Sequence, residues 1–534
     1  MSQPITKEQI YQQIEDDIAL ITEPGGIKKD KIVAVLRNTL TLINTDVTEL
    51  IDVRESVVYG AKKAIEIPNG ATEILDSAFA EQNLTIVKLP GTITTFGYEC
   101  FASNRIDQLE LAEGLITVGG FSYNKISEVT FPSTLVSIED YAFSSNQFET
   151  LTLPPSLTRI GENAFEYNNI NSLELPSGST IAYGAFMGNQ ISTLIIPSGT
   201  VLDDSAFASN IINSLTIADD ITRVSGFENN QLTTVILPSS TTVIGYNAFQ
   251  YNQLTSVNIP NSVKRIENNA FHGNMLATVN LPEGLEHIGN NAFSQNQLTS
   301  VVIPTSITEI QSGAFSSNPD LVNVSLPSGL KTIGDGVFSH CTSLETIDLP
   351  NGLENLNLMA FQYSGVKSVT IPGTVTSYNY TAFQNCPLET LVFQEGVTNV
   401  DFGFNQRFRT QEYASLKNIT IPSTMNVNSD YWFADYNTIT AVNLSCSIVK
   451  KYMFQNCQNL VSLTLNEGVT TIEDYAFNNC SSLTEVIFPP TISQIDLGAF
   501  LGVPLTSITV PTNCQVHAGA FEESVTINRV DTAN

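Results

Sequence analysis

Four histidines and seven cysteines are the residues of this 534-residue sequence best suited to acid–base or nucleophilic chemistry. No histidine lies four residues from another, and no HExxH, CxxC or zinc-finger spacing occurs. His340 and Cys341 are the types found in a thiol–imidazole dyad, but consecutive residues in an extended turn point apart. His272 and His287 are expected to be solvated. Because P-loop, GxSxG and dinucleotide-binding glycine motifs are also missing, we expect no catalytic centre and no cofactor.

Two acidic pairs offer oxygen ligands. Asp203–Asp204 and Asp219–Asp220 fall in successive segments of similar sequence and could hold Ca²⁺. The alternative is a solvated acidic rim, since neither pair lies in a glycine-rich calcium loop.

The charge balance restricts the partners. There are 53 acidic and 23 basic residues, a net charge of −30, whereas phosphate binding needs clustered Lys and Arg. We therefore expect no nucleic-acid partner. No stretch approaches the ~18 apolar residues of a spanning helix, and the first residues lack the pattern of a secretory signal. Membrane insertion is not expected either.

The sequence after residue 60 repeats itself. A phenylalanine returns every 20 to 23 residues, with one 29-residue step from Phe404 to Phe433, which gives about twenty-one units. Each unit reads roughly A-F-x-x-N-x-L-x-x-V-x-I-P-x-x-V-x-x-I. The V-x-I alternation predicts a strand, and the proline ends it. A unit this short cannot bury its own apolar face, so the units must stack into coils with a parallel strand ladder.

The third residue after each phenylalanine is a small polar residue in a buried slot. It is Asn in the first part of the array and becomes Cys, or Ser364, later. The residues in this slot are Asn104, Asn124, Asn146, Asn168, Asn189, Asn210, Asn230, Asn252, Asn274, Asn296, Asn318, Cys341, Cys386, Cys457 and Cys480. Only Cys457 and Cys480 occupy it in adjacent coils, so they alone could approach bonding distance; reduced core thiols are the alternative.

The unit LTSVNIPNSVKRIENNAFHGN, with its I-P, I-x-x-x-A-F and N/C order, resembles the BspA-like (Treponema pallidum-type) leucine-rich repeat. The resemblance covers roughly residues 60–527. It implies an α/β-type repeat solenoid shaped as a curved rod, and a non-enzymatic role in adhesion and in protein or glycan recognition. Many secreted members carry a signal peptide and an anchoring tail, and neither is evident here.

Residues 1–58 follow a different pattern. Apolar residues at helical spacing predict two short helices broken at Pro24. The apolar stripes consist of Ile10, Ile14, Ile18, Ile21, Ile32, Leu36 and Leu40. The segment GGIKKDKIVAVLRNTLTLINTDV loosely resembles the N-terminal part of many bacteriophage tail and fibre proteins. The helices therefore either attach the protein to a particle or to its own copies, or only cap the solenoid formed by residues 59–534.

Two surfaces are candidates for ligand binding. The single long repeat gathers aromatic residues and rare basic residues, which are common interface anchors. Its candidate residues are Arg407, Arg409, Tyr413, Tyr431 and Trp432. The alternative is that these rings repack a widened coil. The second surface is a regular wall of short polar side chains on outward strand positions. It includes Ser256, Asn258, Thr278 and Asn280.

These patterns predict a surface-recognition protein. The phage-like segment favours a tail fibre or host-attachment component on a virion or particle surface, held by its N-terminus to other virion proteins and able to form a homotrimer. Its target would be a host or cell-surface protein or glycan. The alternatives are a cellular adhesin that reaches the cell surface by a non-classical route, and a structural spacer.

Overall fold

The computed structural model describes residues 63–398, 415–427 and 430–531. The chain divides into two compact units, residues 1–253 and 254–534. The predicted N-terminal helices, with Ile10, Ile14, Ile18, Ile21, Ile32, Leu36 and Leu40, lie outside the described residues. The domain boundary at residues 58 and 59 therefore stays a prediction.

The first unit is built from short strands. These are β1 (Ala64–Glu66), β2 (Glu73–Ile74), β3 (Ile86–Leu89), β4 (Thr95–Phe96), β5 (Gln108–Leu111), β6 (Thr117–Val118), β7 (Ser137–Ile138), β8 (Thr150–Thr152), β9 (Arg159–Ile160), β10 (Ser172–Glu174), β11 (Thr180–Ile181), β12 (Thr193–Ile196), β13 (Val201–Leu202), β14 (Ser214–Ile217), β15 (Arg223–Val224) and β16 (Val243–Ile244). Parallel sheets form one wall from strands such as β1, β3 and β5, and a second wall from β6, β7, β9, β11 and β13.

The second unit continues the same design. Its strands are β17 (Ser256–Asn258), β18 (Arg265–Ile266), β19 (Thr278–Asn280), β20 (His287–Ile288), β21 (Ser300–Val302), β22 (Glu309–Ile310), β23 (Asn323–Ser325), β24 (Thr332–Ile333), β25 (Asn355–Leu356), β26 (Ser368–Ile371), β27 (Ser377–Tyr378), β28 (Thr390–Phe393), β29 (Asn418–Ile421), β30 (Ala441–Leu444), β31 (Ile448–Val449), β32 (Ser462–Leu465), β33 (Thr471–Ile472), β34 (Gln494–Ile495), β35 (Ser507–Pro511), β36 (Gln515–Val516) and β37 (Thr526–Val530). A short 3₁₀ helix, η1, spans Tyr380–Phe383.

Each coil has three sides. A front strand such as β17 alternates exposed and buried residues, so Val257 points inward. A turn at Pro260 leads to a short return strand, here β18. A turn carrying Ala270 and Phe271, both fully buried, closes the coil. The predicted solenoid of stacked parallel strands is confirmed within both units, and no described helix is long and apolar enough to span a membrane.

The phenylalanines stack into buried columns. In the first unit the rings from Phe79 to Phe249 follow one another with centroids 4.8 to 5.9 Å apart. In the second unit Phe271, Phe293 and Phe315 continue the pattern at 5.4 and 5.5 Å. Because each ring fills space left by its neighbours in adjacent coils, the column is the main apolar core.

The buried asparagines tie each coil to the one before it. Asn296 Oδ1 accepts a hydrogen bond of 3.0 Å from the Leu276 backbone N–H. Its Nδ2 donates to the carbonyl oxygens of Phe271 and Phe293, at 2.9 and 3.2 Å. One side chain therefore satisfies buried donors and acceptors of two coils, which explains why Asn recurs in this slot.

At three positions Cys replaces Asn after a turn that is one residue longer. In Asn318–Leu321 the extra residue lets the Leu321 N–H bond to the Asn318 carbonyl at 3.1 Å. The slot residue of the next coil, Cys341, therefore has no N–H of the preceding turn to accept from and has only to donate. Its thiol donates to the Phe315 carbonyl at 3.4 Å. The same longer turn precedes Cys457 and Cys480. Cys386 follows a short turn; its thiol donates to the Phe361 carbonyl at 2.9 Å and also contacts Ser364 Oγ at 3.3 Å. All seven cysteines are free and buried.

Candidate functional site

The ligand residues predicted for the long repeat have different positions in the structure. Arg407, Arg409 and Tyr413 lie outside the described residues. Tyr431 is half-buried at the surface, and Trp432 is only 1% exposed. The structure therefore places these two neighbours on opposite sides of the coil wall.

Trp432 fills the interior of its coil. It occupies the column that is Ala in most coils, for example Ala270, and its ring packs edge-on against Phe433 at 6.3 Å between centroids. The next coil has the large Met453 in this column. Trp432 is therefore a core residue beneath the surface that Tyr431 faces, and its indole is not part of the solvent-facing wall.

Three tyrosines form a row across successive coils, here called the tyrosine row: Tyr431, Tyr452 and Tyr475. Ring centroids are 4.5 Å apart between Tyr431 and Tyr452, and 5.3 Å apart between Tyr452 and Tyr475. The rings are within 11° of parallel. Since the faces largely cover one another, the row presents ring edges to solvent.

The backbone determines where these rings lie. Each tyrosine comes two residues before the buried phenylalanine of its coil and has a positive φ, between 57° and 64°. This left-handed conformation is uncommon for a non-glycine residue. It turns the chain sharply enough for the following two residues to point inward while the tyrosine stays on the wall.

A second row runs parallel to the first, here called the amide row: Asp435, Asn456 and Asn479. These residues also have positive φ, between 60° and 68°, which Asn and Asp tolerate well. Asn456 Nδ2 donates to Asp435 Oδ1 at 2.7 Å, and Asn479 Nδ2 donates to Asn456 Oδ1 at 2.9 Å. Asp435 and Asn479 are exposed and Asn456 is half-buried, and the row holds its polar groups in register with the coils.

Ion pairs border the tyrosine row on its other side. Lys450 bonds to Glu473 at 3.0 Å, and Lys451 bonds to Asp474 at 3.2 Å. The hydrogen bond that Lys451 donates to Asp474 raises the pKa of the lysine. Its Nζ lies 5.1 Å from the centroid of the Tyr452 ring, within cation–π range. This border therefore carries balanced charge.

Glycines end both rows at the following coil. A Cβ added at Gly498 would lie 2.3 Å from Tyr475 Cε1, and one at Gly502 would lie 2.4 Å from Asn479 Oδ1. Both glycines have positive φ as well. The side chains of Tyr475 and Asn479 therefore pack against glycine backbone of the following coil, and both rows end there.

A notch lies on the return side of the same coils. Phe454 comes ten positions after Leu444, whereas Phe271 comes twelve after Ile259, so the return segment of this coil is two residues shorter. The space left beside the neighbouring coil is about 230 Å³. It is lined by Ser423, Thr424, Met425, Asn426, Val427, Ser447, Ile448 and Lys450. The short interval between Leu444 and Phe454 is the feature of the sequence that indicates this notch, and it was not among the sequence-based predictions.

The predicted polar wall is also present. On the parallel strands β17, β19 and β21, neighbouring residues in register are Ser256, Thr278 and Ser300. Asn258 is likewise in register with Asn280. All five side chains are exposed. The wall offers short hydroxyl and amide groups without the aromatic or charged groups of the other surface.

The acidic pairs have protein partners. Asp204 accepts a hydrogen bond from Arg223 at 2.8 Å, and Asp220 accepts from Ser198 Oγ and the Gly199 N–H, both at 2.8 Å. Hydrogen bonds from Ser198 and Gly199 lower the pKa of Asp220. Within the described parts of the chain, no group of three or more His, Cys, Asp or Glu residues could hold a metal ion.

Two of the histidine predictions can be compared with the structure. His272 was expected to be solvated, which is wrong: it is buried and its Nδ1 contacts Ser294 Oγ, and desolvation lowers its pKa. The His340 ring stacks on Tyr363 at 4.8 Å. Burial raises the pKa of the Cys341 thiol to about 12, so the adjacent thiol is not an activated nucleophile.

Comparison with known families agrees with this geometry. The model of the BspA-type leucine-rich repeat region matches residues 58–124, 116–226, 200–321, 286–404 and 406–528. The chain belongs to this family. The predicted family is thereby confirmed, whereas the predicted resemblance to bacteriophage tail proteins is not shown by these matches.

The solved structures that match include several bacterial leucine-rich repeat proteins. One from Bacteroides ovatus is 24% identical, with 56% of this chain and 84% of that chain covered and a TM-score of 0.38. The pneumococcal vaccine antigen PcpA is 16% identical, with 89% and 91% covered and a TM-score of 0.26. A leucine-rich cell surface protein from Faecalibacterium prausnitzii is 18% identical, with 76% and 88% covered and a TM-score of 0.26. No curated protein matches the chain.

Proposed function

We propose that this protein is a non-enzymatic surface-recognition protein that binds its target through the wall bearing the tyrosine row and the amide row. The observation that carries the proposal is the alignment of ring, amide and ion-pair groups over the coils of Tyr431, Tyr452 and Tyr475. Aromatic residues beside hydrogen-bonding groups are typical of binding surfaces. Membership of the BspA-type family is consistent with adhesion or recognition.

The location we propose is an outer surface. A structural relative is named as a cell surface protein, which supports this placement for a protein of the same fold. Attachment to a virion as a tail fibre is the finer form of the proposal and depends on residues 1–58 alone. A cellular adhesin fits the family equally well.

The binding wall is tested with a double substitution. Tyr452→Ala/Tyr475→Ala removes two of the three rings, and the labelled protein is applied to a printed array of cell-surface proteins and glycans. A binding hot spot should lose about 2 kcal/mol or more, roughly thirtyfold in affinity. The control is Tyr167→Ala, an exposed tyrosine with positive φ whose ring covers Gly188 in the column of Asn479 and Gly502, far along the chain from the proposed site.

The control must bind every array ligand as the wild type does. Equal binding by the double variant, with its circular dichroism spectrum unchanged, would contradict the proposed wall and direct attention to Ser256, Thr278 and Ser300.

The role of the N-terminus is tested separately by a truncated chain that begins at residue 59. If residues 1–58 attach the protein to a particle or to its own copies, the truncated chain should lose assembly in light-scattering measurements while its coils stay folded. Normal assembly would leave the N-terminal segment only a capping role.

A further inference from the structure

The spacing of the rows restricts the shape of the target. Equivalent groups recur once per coil, with tyrosine centroids 4.5 and 5.3 Å apart. This is close to the separation of about 4.8 Å between neighbouring strands. A partner that uses Tyr452 and Tyr475 in the same way must present equivalent groups at the same interval.

The electrostatics favour a neutral target. Lys450 and Lys451 are paired with Glu473 and Asp474, so the border of the tyrosine row has no excess of either charge. The net charge of −30 repels polyanions at long range. Phenol edges and the amide row offer hydrogen-bond donors and acceptors, which suits a partner rich in hydroxyl groups.

An extended peptide lying along the rows does not fit this interval. Its side chains repeat on one face every two residues, or about 6.6 Å, so a peptide would lose register within two coils. In an extended β-1,4-linked pyranose chain, each sugar advances by a length close to one coil, and successive sugars are turned over, so each coil faces one sugar and the two rims alternate. Every sugar also presents hydroxyl groups at its rim.

We propose that the tyrosine and amide rows bind an unbranched, neutral β-1,4-linked glycan that lies along the rows with one sugar per coil. The inference rests on the proposed recognition function and names its ligand class. Ring edges of the tyrosine row contact the sugar rims, and Asn456 and Asn479 exchange hydrogen bonds with hydroxyl groups. Among the described coils, the rows cover those of Tyr431, Tyr452 and Tyr475 and end at Gly498 and Gly502, so this part of the wall takes about three consecutive sugars.

The test is titration calorimetry of the full chain with cello-oligosaccharides and oligomers of N-acetylglucosamine, from two to six sugars long. Affinity in at least one series should rise with length up to three or four sugars and then level off. Maltohexaose, whose α-1,4 linkages curve the chain, should bind at least about tenfold more weakly than the β-1,4 hexamer. Tyr167→Ala should bind as the wild type does.

Two variants separate contact from folding. Tyr452→Ala/Tyr475→Ala should lose roughly tenfold or more in affinity. Tyr452→Phe/Tyr475→Phe keeps the stacked rings and removes only the hydroxyls, so it should stay folded and still bind more weakly than the wild type.

The outcomes distinguish this inference from the proposed function. No binding of either series, an affinity that does not depend on length, or equal binding of maltohexaose would overturn the glycan inference. If an arrayed protein nevertheless binds the wild type and not the alanine double variant, the recognition wall stands without a glycan ligand. If no ligand distinguishes the double variant from the wild type, both proposals fail.

Discussion

The bond between Asn296 and Leu276 permits a quantitative test of how coils are held together. Asn296 is 3% exposed and Leu276 is fully buried, so water cannot replace a lost partner. Asn296→Cys keeps one donor for the Phe271 carbonyl, as Cys341 does for the Phe315 carbonyl. It removes the oxygen that accepts from the Leu276 N–H and the second N–H, which donates to the Phe293 carbonyl of its own coil. Asn296→Ala removes the acceptor and the donor together.

The magnitudes follow from the number of groups left without a partner. An orphaned buried N–H costs about 1–3 kcal/mol, which is the expected loss for Asn296→Cys. Asn296→Ala also leaves the Phe271 carbonyl without its side-chain donor, and we expect a loss of about 2–5 kcal/mol. Gln297→Ala is the control, because its exposed side chain should change stability by less than about 0.5 kcal/mol.

The assay is native-state hydrogen exchange followed by mass spectrometry, because coils open locally and a single global unfolding energy is not defined for a long array. The Leu276 amide should exchange roughly 5- to 150-fold faster in Asn296→Cys than in the wild type. Exchange should be faster still in Asn296→Ala. Unchanged exchange of the Leu276 amide in Asn296→Cys would refute the argument that the asparagine oxygen is its partner.

Three further predictions concern charge, thiols and core volume. Hydrogen bonds from the serine of the next coil lower the pKa of Glu113 and Glu395. These carboxylates therefore stabilise the fold above the ordinary carboxyl pKa, and the stabilisation disappears as pH falls through the lowered values. The melting temperature should decrease when the pH is lowered below 4, and Glu113→Gln/Glu395→Gln should make it less dependent on pH. Burial raises the pKa of Cys480 to about 12, so iodoacetamide at pH 8 should label it only after denaturation, and labelling of the native protein would contradict its burial. Phe271→Ala and Trp432→Ala should each lower the free energy of local unfolding by roughly 3–5 kcal/mol, measured as faster amide exchange in the adjacent coils. A smaller effect of Trp432→Ala would show that the indole is not a core group.

The core of each coil could be predicted from the sequence because the same residue types recur at nearly constant spacing. A single Phe271 or Asn296 means little by itself, but a residue repeated in register over many coils must face the same environment each time. Stacked phenylalanine rings and buried asparagines are the result. Their chemistry is local, so sequence periodicity is sufficient to find them.

The candidate site could be predicted only in part. Tyr431 was identified by its neighbours in the long repeat, whereas Tyr452 and Tyr475 belong to ordinary coils and become evident only when the columns are aligned. Trp432 was grouped with Tyr431 although adjacent residues point to opposite sides of the wall at this turn. An indole can be buried only where the interior of the coil has room for it. Here Trp432 and then Met453 occupy the column that holds Ala in most coils, and composition alone does not reveal this extra room.

The difference between core and surface columns gives a physical criterion for function in this family. Phe454 and Phe477 repeat because any smaller residue would leave a cavity in the core. No such requirement acts on the left-handed position two residues earlier, which holds residues as different as Ser77 and Met359 elsewhere in the chain. Three consecutive tyrosines at a strained position that accepts many side chains therefore need another cause. The stacking of the rings explains their order, and we propose that binding of a repeating target along the wall is the reason for a ring in each of these coils.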